Sequence, residues 1–285
     1  MTSRALVLGG GGVAGIAWLT GLFAGFADSG FDPLDADLIL ATSAGAGAGA
    51  QLTSGVDLET LYACQADPAR QVEEPEPDPA ALARAAAARP GLLAAGEREA
   101  VTRARGLFAL SAETVAPAVR RAVVAARLPS HTWPPHPFKL VAVDALSGET
   151  ALFDRQSEVS LIDAVAASSA VPGVWPPVMI NGRPYIDGGA RSTESLDLAT
   201  GYDRVLALVP VGADFKGTPP RDLAADVAAL EAQGARVFVV EPDATSQAAI
   251  IDRLLDPMTR GPAAKAGRAQ GRAIGAAAIA FWRDA

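Results

Sequence analysis

Three features of the chain have reactive potential: Ser43, Asp187 and the run Gly9 to Gly12. Ser43 stands in Leu38-Ile39-Leu40-Ala41-Thr42-Ser43-Ala44-Gly45, and alternating Ala and Gly continue to Gln51. The bulky aliphatics predict a short buried strand, and the small residues after Ser43 predict a helix packed tightly against it. A Ser at that junction has the pattern of a G-x-S-x-G nucleophile elbow with Ala41 in the first Gly position. Its hydroxyl would project at a helix N-terminus, where the helix dipole favours developing negative charge. A strand-to-helix turn that merely contains a Ser fits the same five residues, so the rest of the chain must decide between them.

A Ser nucleophile needs a base, and the usual base is His. The chain has two, His131 and His136, both in a Pro-rich connector between Ser43 and Asp187. No His follows Asp187, so the Ser, Asp, His order of the α/β-hydrolases is not met. Both read as surface-loop residues, and no Cys or acidic cluster supports them as a metal site. A carboxylate is then the candidate base. Asp187 ends a predicted hairpin strand, and Gly188 and Gly189 after it allow close approach of backbone and substrate. A plain turn Asp before Gly-Gly is the alternative reading. Asp144 and Asp154, each closing a predicted strand, are the next carboxylates.

The glycine run has two possible uses. Gly10, Gly12 and Gly15 satisfy G-x-G-x-x-G after a strand, as a dinucleotide-binding loop would. That use expects an acidic residue at the end of the second strand to hold a ribose hydroxyl, and here that strand ends in Ala41-Thr42-Ser43. The other use is an oxyanion hole, in which backbone N–H groups point at the oxygen of a tetrahedral intermediate.

Several elements must position these residues. Arg4 to Leu8 predicts a strand and about Val13 to Ala27 a buried helix, with Trp18, Leu19, Leu22, Phe23 and Phe26 spread around it and Asp28-Ser29-Gly30 ending it. Followed by the Ser43 strand, this unit predicts a parallel pair with both loops at one edge of a sheet. Glu73 to Pro79 is acidic and Pro-rich, and Ala80 to Leu128 is Ala- and Arg-rich with helical spacing and breaks at Pro90 and Gly91. Strand signals return at Phe138 to Val143 and Ala151 to Phe153, and a helix capped by Ser160 runs from Leu161 to about Ser169. Asn181-Gly182 between Val178 to Ile180 and Tyr185-Ile186 is the clearest hairpin signal. Val205 to Val209 and Val237 to Val240 predict buried strands flanking a helix at Asp222 to Glu231. A last helix carries Gly267, Gly271 and Gly275 four apart, a face suited to close helix packing.

Composition sets the outer limits. Half of the 285 residues are apolar, as in a folded globular protein. A net charge of −8 and pI near 4.9 disfavour nucleic acid and give no general attraction to anionic lipid headgroups. The single Cys64 excludes an internal disulfide and fits a reducing compartment, so a cytoplasmic location is expected. Ala5 to Ala27 is uncharged, but Gly9 to Gly12 would break the continuous helix that a signal or membrane-spanning segment needs.

Together these pieces resemble the patatin-like phospholipase family, lipid acyl hydrolases that use a Ser-Asp dyad without His. The family's oxyanion loop matches Gly10-Gly11-Gly12 with Gly15, its nucleophile motif Ala41-Thr42-Ser43-Ala44-Gly45, and its Asp-Gly-Gly Asp187-Gly188-Gly189. The segment Ala167 to Val178, with Val171-Pro172-Gly173-Val174-Trp175, looks like the one that precedes that Asp in bacterial members. The likeness covers about residues 4–56 and 138–210. Ala14 departs from it, because the family usually carries Arg or Lys there.

The resemblance implies a single domain over 1–285. Its fold would be a three-layer α/β one with a mainly parallel central sheet, and about 66–135 would form a helical insertion or lid. It implies a serine acyl hydrolase with Ser43 as nucleophile, Asp187 as general base and acid, and Gly10, Gly11, Gly12 and Ala44 binding the oxyanion. No metal or organic cofactor is expected. The expected partner is a lipid or other acyl ester, with room for transient membrane contact and without nucleic acid. A catalytically weak or silent acyl-binding module, suggested by Ala14, and a nucleotide-binding enzyme using G-x-G-x-x-G are the alternatives.

Overall fold

The structure is a computed structural model that describes residues 2–73, 76–94, 97–211, 223–250 and 253–283. It opens with strand β1 (Arg4–Leu8), helix α1 (Gly12–Asp28), strand β2 (Leu38–Thr42) and helix α2 (Ala44–Leu52). Helices α3 (Leu58–Ala66), α4 (Pro79–Leu93), α5 (Arg98–Ser111) and α6 (Pro117–Arg127) follow. Next come β3 (Phe138–Asp144), β4 (Thr150–Phe153), α7 (Leu161–Ser168), and the hairpin β5 (Val178–Ile180) and β6 (Arg183–Asp187). The chain continues with β7 (Arg204–Leu208), α8 (Leu223–Ala232), β8 (Arg236–Val240), α9 (Ala244–Ile250) and α10 (Arg260–Arg283).

The strands form one mixed, mostly parallel sheet with helices on both faces. β1 pairs in parallel with β2 and β7, β2 with β3, and β7 with β8, while the contacts of β3 with β4 and β6 and of β5 with β6 are antiparallel. Strand side chains alternate between faces. Leu6, Leu8, Ile39, Ala41, Leu140 and Leu206 therefore enter one core with α1, α2, α7 and α10. Ala5, Val7, Leu40, Val141 and Val205 enter a second with Leu223 and Leu230 of α8. This is the three-layer arrangement that the sequence implied.

Register explains how distant segments meet. Along β3, residues 138–141 pair with β2, residues 140–143 with β4 and residues 142–144 with β6. Because β4 takes one edge of β3, β2 and β6 must share the other, one after the other. Thr42 pairs with Val141 and Asp187 with the next residue, Ala142, so the two strands run head-on and their C-terminal ends abut. A side chain at Gly188 would strike the Val141 carbonyl oxygen at 2.6 Å and Thr42 Cγ2 at 3.0 Å, which is why the residue after Asp187 must be Gly.

Helix α1 lies against α10 through a reciprocal set of glycines. A Cβ at Gly21 would sit 2.1 Å from the Ala264 carbonyl oxygen, at Gly25 2.3 Å from that of Arg268, at Gly267 2.3 Å from that of Trp18 and at Gly271 2.4 Å from that of Leu22. The two backbones are thus in direct contact. Gly271→Val should lower the unfolding free energy by about 3 kcal/mol, since the α1 and α10 backbones must separate to admit the side chain. Urea denaturation of the variant measures this.

Some elements depart from the sequence reading. Pro90 and Gly91 do not break a helix: α4 runs through both to Leu93, carried by the good helix formers Ala85 to Ala88. Helix α3 was not foreseen, although Asp57 caps it by accepting the Thr60 N–H at 3.0 Å, and α9 was not foreseen either. β8 is an edge strand and only partly buried, unlike the fully buried β7. Asp222, the expected start of the helix seen as α8, lies outside the described residues, as do Glu74 and Pro75 of the acidic Pro-rich stretch. Among the described residues no helix is long and apolar enough to cross a membrane.

Candidate active site

Ser43 occupies the sharp turn between β2 and α2 with φ 54° and ψ −110°, a conformation that is costly for a residue with a Cβ. Holding a non-glycine residue there costs about 1–3 kcal/mol, which the surroundings supply. The Ser43 N–H donates to Ser168 Oγ at 3.0 Å, and its carbonyl accepts the Ala46 N–H at 3.0 Å. Gly45 makes the turn possible, because any Cβ there would lie 2.0 Å from the Leu8 carbonyl oxygen. Ala41 in the first elbow position is fully buried in the sheet.

Asp187 arrives from the opposite direction at the end of β6. Its N–H donates to the Ala170 carbonyl at 3.0 Å, and its Oδ1 accepts the Gly189 N–H at 2.7 Å. Its Oδ2 accepts a hydrogen bond from Ser43 Oγ at 2.7 Å. Burial pushes the carboxyl up to about 6, against the Ser43 and Gly189 hydrogen bonds and the charges of Arg120 and Arg105, which pull it down. A normal Asp is a weak base, and this environment brings the group toward the range in which general bases work.

The glycine loop lies beside Ser43. A Cβ on Gly10 would approach Ser43 Cβ to 3.4 Å, and Gly12 has φ 62°, with the Leu254 carbonyl oxygen where its Cβ would be. The four candidate donors are not equivalent. The Gly10 N–H is donated to the Thr193 carbonyl at 2.8 Å and is therefore already engaged. Among the described residues no acceptor takes the N–H of Gly11, Gly12 or Ala44. The expectation for Gly10 is corrected in this respect, and it contributes shape to the loop.

The other candidate residues are occupied elsewhere. His131 bonds the Ala125 carbonyl at 3.0 Å on the surface, and neither His lines the cavity over Ser43. Asp144 accepts the Leu146 and Ser147 N–H groups and pairs with Arg183. Burial pushes its carboxyl up, but those partners outweigh it and hold the group below the usual carboxylate value. Asp154 closes a surface turn by accepting from Gln156 and Ser157. Among the described residues no three His, Cys, Asp or Glu side chains gather to hold a metal.

Ser43 and Asp187 open onto a cavity of about 570 Å³, within the usual range for small-molecule sites. Its floor is the glycine loop, Gly189 and Thr193, and much of its wall is apolar: Leu82 and Leu92 of α4, Phe108 of α5, Val171, Leu254 and Leu255. Two cations from the helices join it, Arg89 and Arg105. Arg105 is buried and donates to the Ala190 carbonyl at 3.2 Å. Burial first, and Arg89 second, push its guanidinium down to about 10, so it stays charged at neutral pH. The sequence reading missed Arg105, since one Arg among many in an Ala- and Arg-rich stretch carries no local signal.

No curated protein sequence matches the chain. Among solved structures, VipD from Legionella pneumophila is similar over 97% of this chain and 67% of its own, at 14% identity and a TM-score of 0.48. The type III effector protein ExoU is similar over 97% of this chain at 14% identity and a TM-score of 0.44, and the chain spans 53% of its length. The family model described as patatin-like phospholipase matches residues 6–200, a span that includes the glycine loop, Ser43 and Asp187, and the chain accordingly belongs to the patatin-like phospholipase family.

Proposed function

We propose that the chain is a serine acyl hydrolase of lipid or other acyl esters, working through a Ser43–Asp187 dyad and an acyl-enzyme. The hydrogen bond of 2.7 Å from Ser43 Oγ to Asp187 Oδ2, at the floor of an apolar cavity, is the observation that carries this reading. Ser43 Oγ bonds to the substrate carbonyl carbon as its proton passes to Asp187. The oxyanion is held by the N–H groups of Gly11, Gly12 and Ala44. As the tetrahedral intermediate collapses, the leaving alkoxide takes the proton from Asp187 and departs as an alcohol. A water molecule then gives a proton to Asp187 and adds to the acyl carbon, and the second collapse returns that proton to Ser43 Oγ and frees the acid. In this reading the chain acts as one catalytic unit, with the helices of 66–135 covering the acyl site.

A chain-length series of p-nitrophenyl esters tests this, together with a phospholipid panel. Each buried methylene contributes about 0.8 kcal/mol, so kcat/KM should rise at least about tenfold from acetyl to octanoyl esters as the chain reaches Leu82, Leu92 and Phe108. The same assay run against pH should give an acid limb with its midpoint near 6, rising toward neutrality as Asp187 loses its proton. No hydrolysis of any ester, or a flat profile from pH 5 to 8, would count against the dyad.

A further inference from the structure

Ala14 leaves the oxyanion loop without a cation of its own. It is fully buried, its N–H donates to the Leu254 carbonyl at 3.1 Å, and no side chain from Gly9 to Ala17 is charged. A second, small hollow also borders Ser43 and shares Gly12, Val171 and Leu255 with the acyl cavity. Its volume is about 20 Å³, and its lining includes Gly12, Ser43, Ala44, Arg120, Arg127 and Trp175. Such a space holds roughly one water-sized oxygen. It is bounded by Ser43, by Gly12 and Ala44, two of the residues whose N–H groups are assigned above to the oxyanion, and by Arg120 and Arg127 of α6.

Of those two cations, Arg120 is the one built in. It is only 6% exposed, and its guanidinium carbon sits 4.0 Å from the centroid of the buried Trp175 ring. Stacking of this kind holds a guanidinium in place and shields it from water. Arg127 is half-buried, so solvent screens its charge more. Asp187 also feels the Arg120 charge, which pulls its carboxyl down. Trp175 comes from the Val171 to Trp175 segment, which the dyad and the oxyanion loop do not otherwise use.

We propose that Arg120, clamped on Trp175, supplies from helix α6 a positive charge beside Ser43, separate from Arg89 and Arg105 of the acyl cavity, and stabilises the oxyanion that forms there. The charge reaches the site through tertiary packing, where the family resemblance would place it in the glycine loop. This inference rests on the acyl-hydrolase reading. A fixed cation at that place acts on charge present only in the transition state, so it should change kcat and leave KM nearly untouched.

The test compares wild type with Arg120→Gln, Arg120→Lys and Arg121→Ala on one p-nitrophenyl ester, and measures inhibition by an alkylboronic acid, which forms a tetrahedral anion on Ser43. Arg121, next along α6, pairs with Asp163 at the surface and controls for loosening of the helix. Expected is a 10- to 100-fold loss of kcat in folded Arg120→Gln with KM within twofold, a parallel weakening of boronate inhibition, recovery of most of the rate in Arg120→Lys, and near-normal rates in Arg121→Ala. Unchanged kcat in Arg120→Gln would overturn the inference. So would a loss that Lys does not restore, that leaves boronate inhibition unchanged, or that Arg121→Ala reproduces. Should Arg120→Gln not fold, Trp175→Leu decides, since it keeps the charge but removes its clamp. A three- to tenfold loss of kcat at constant KM supports the proposal, and an unchanged kcat ends it. If wild type neither hydrolyses the ester nor binds the boronate, the acyl-hydrolase reading itself falls. If it does both, only the role of Arg120 is at stake.

Discussion

Ser43→Ala is expected to lower turnover by about 10⁴-fold or more and to abolish covalent labelling by a fluorophosphonate, in a protein that keeps its fold. The variant loses one atom, Oγ, whose hydrogen bond is to Asp187 Oδ2. The Ser43 N–H still donates to Ser168, and the Ala46 N–H still meets the residue-43 carbonyl, so the elbow keeps its backbone restraints. Intact mass after fluorophosphonate treatment, with peptide mapping, reads out the site directly. Replacing both His131 and His136 with Ala should leave most of the activity, because neither lines the cavity. A loss of two orders of magnitude in that folded double variant, equivalent to about 2.7 kcal/mol of barrier, would restore a His-based mechanism.

Asp187→Asn should have two opposite effects. Turnover should fall by about 10³-fold or more, because an amide cannot take the Ser43 proton. Stability at neutral pH should rise. The folded-state pKa of Asp187 is about 6 against a reference value of 3.8, so the folded protein resists ionisation of this carboxyl. A group of this sign contributes its full stability below the unfolded pKa, and that contribution is lost as pH rises through the folded pKa. Wild type should therefore lose stability between about pH 4 and 6 relative to the Asn variant, to a difference of about 1–3 kcal/mol above pH 7. The amide keeps both partners, with its oxygen placed to accept from Gly189 and its NH₂ to donate to Ser43 Oγ. Thermal or urea unfolding of both proteins at pH 4 and pH 8 tests the sign. Equal stability at both pH values would mean that burial does not tax the wild-type carboxylate.

The local parts of the site were legible before any fold was known. The elbow around Ser43, the glycine loop and Asp187-Gly188-Gly189 are each a few contiguous residues whose backbone demands select small side chains: Gly45 against the Leu8 carbonyl, Gly12 at positive φ, Gly188 against Val141. Asn181-Gly182 likewise announced the hairpin, and both residues adopt the positive φ that a tight turn needs. The Ala-rich helices were less readable, because Ala favours a helix without marking its ends or its buried face. That is why α4 passes through Pro90 unannounced.

By itself, then, the sequence determined the strands that end at Ser43 and Asp187 and the helix that follows Ser43, and through the order of its motifs the expectation that these two residues are partners. Such features depend on dihedral preferences and side-chain size within a few residues, which the chain states locally. Tertiary structure decided the rest. It set β2 and β6 end to end on one edge of β3, turned the Gly10 N–H toward Thr193, and raised the Asp187 carboxyl by removing it from water. It also brought Arg105 and Arg120 from the helical stretch to the two hollows that border Ser43, and Trp175 beneath Arg120. Burial, charge proximity and cavity shape are sums over residues far apart in the chain, so no short stretch of sequence contains them.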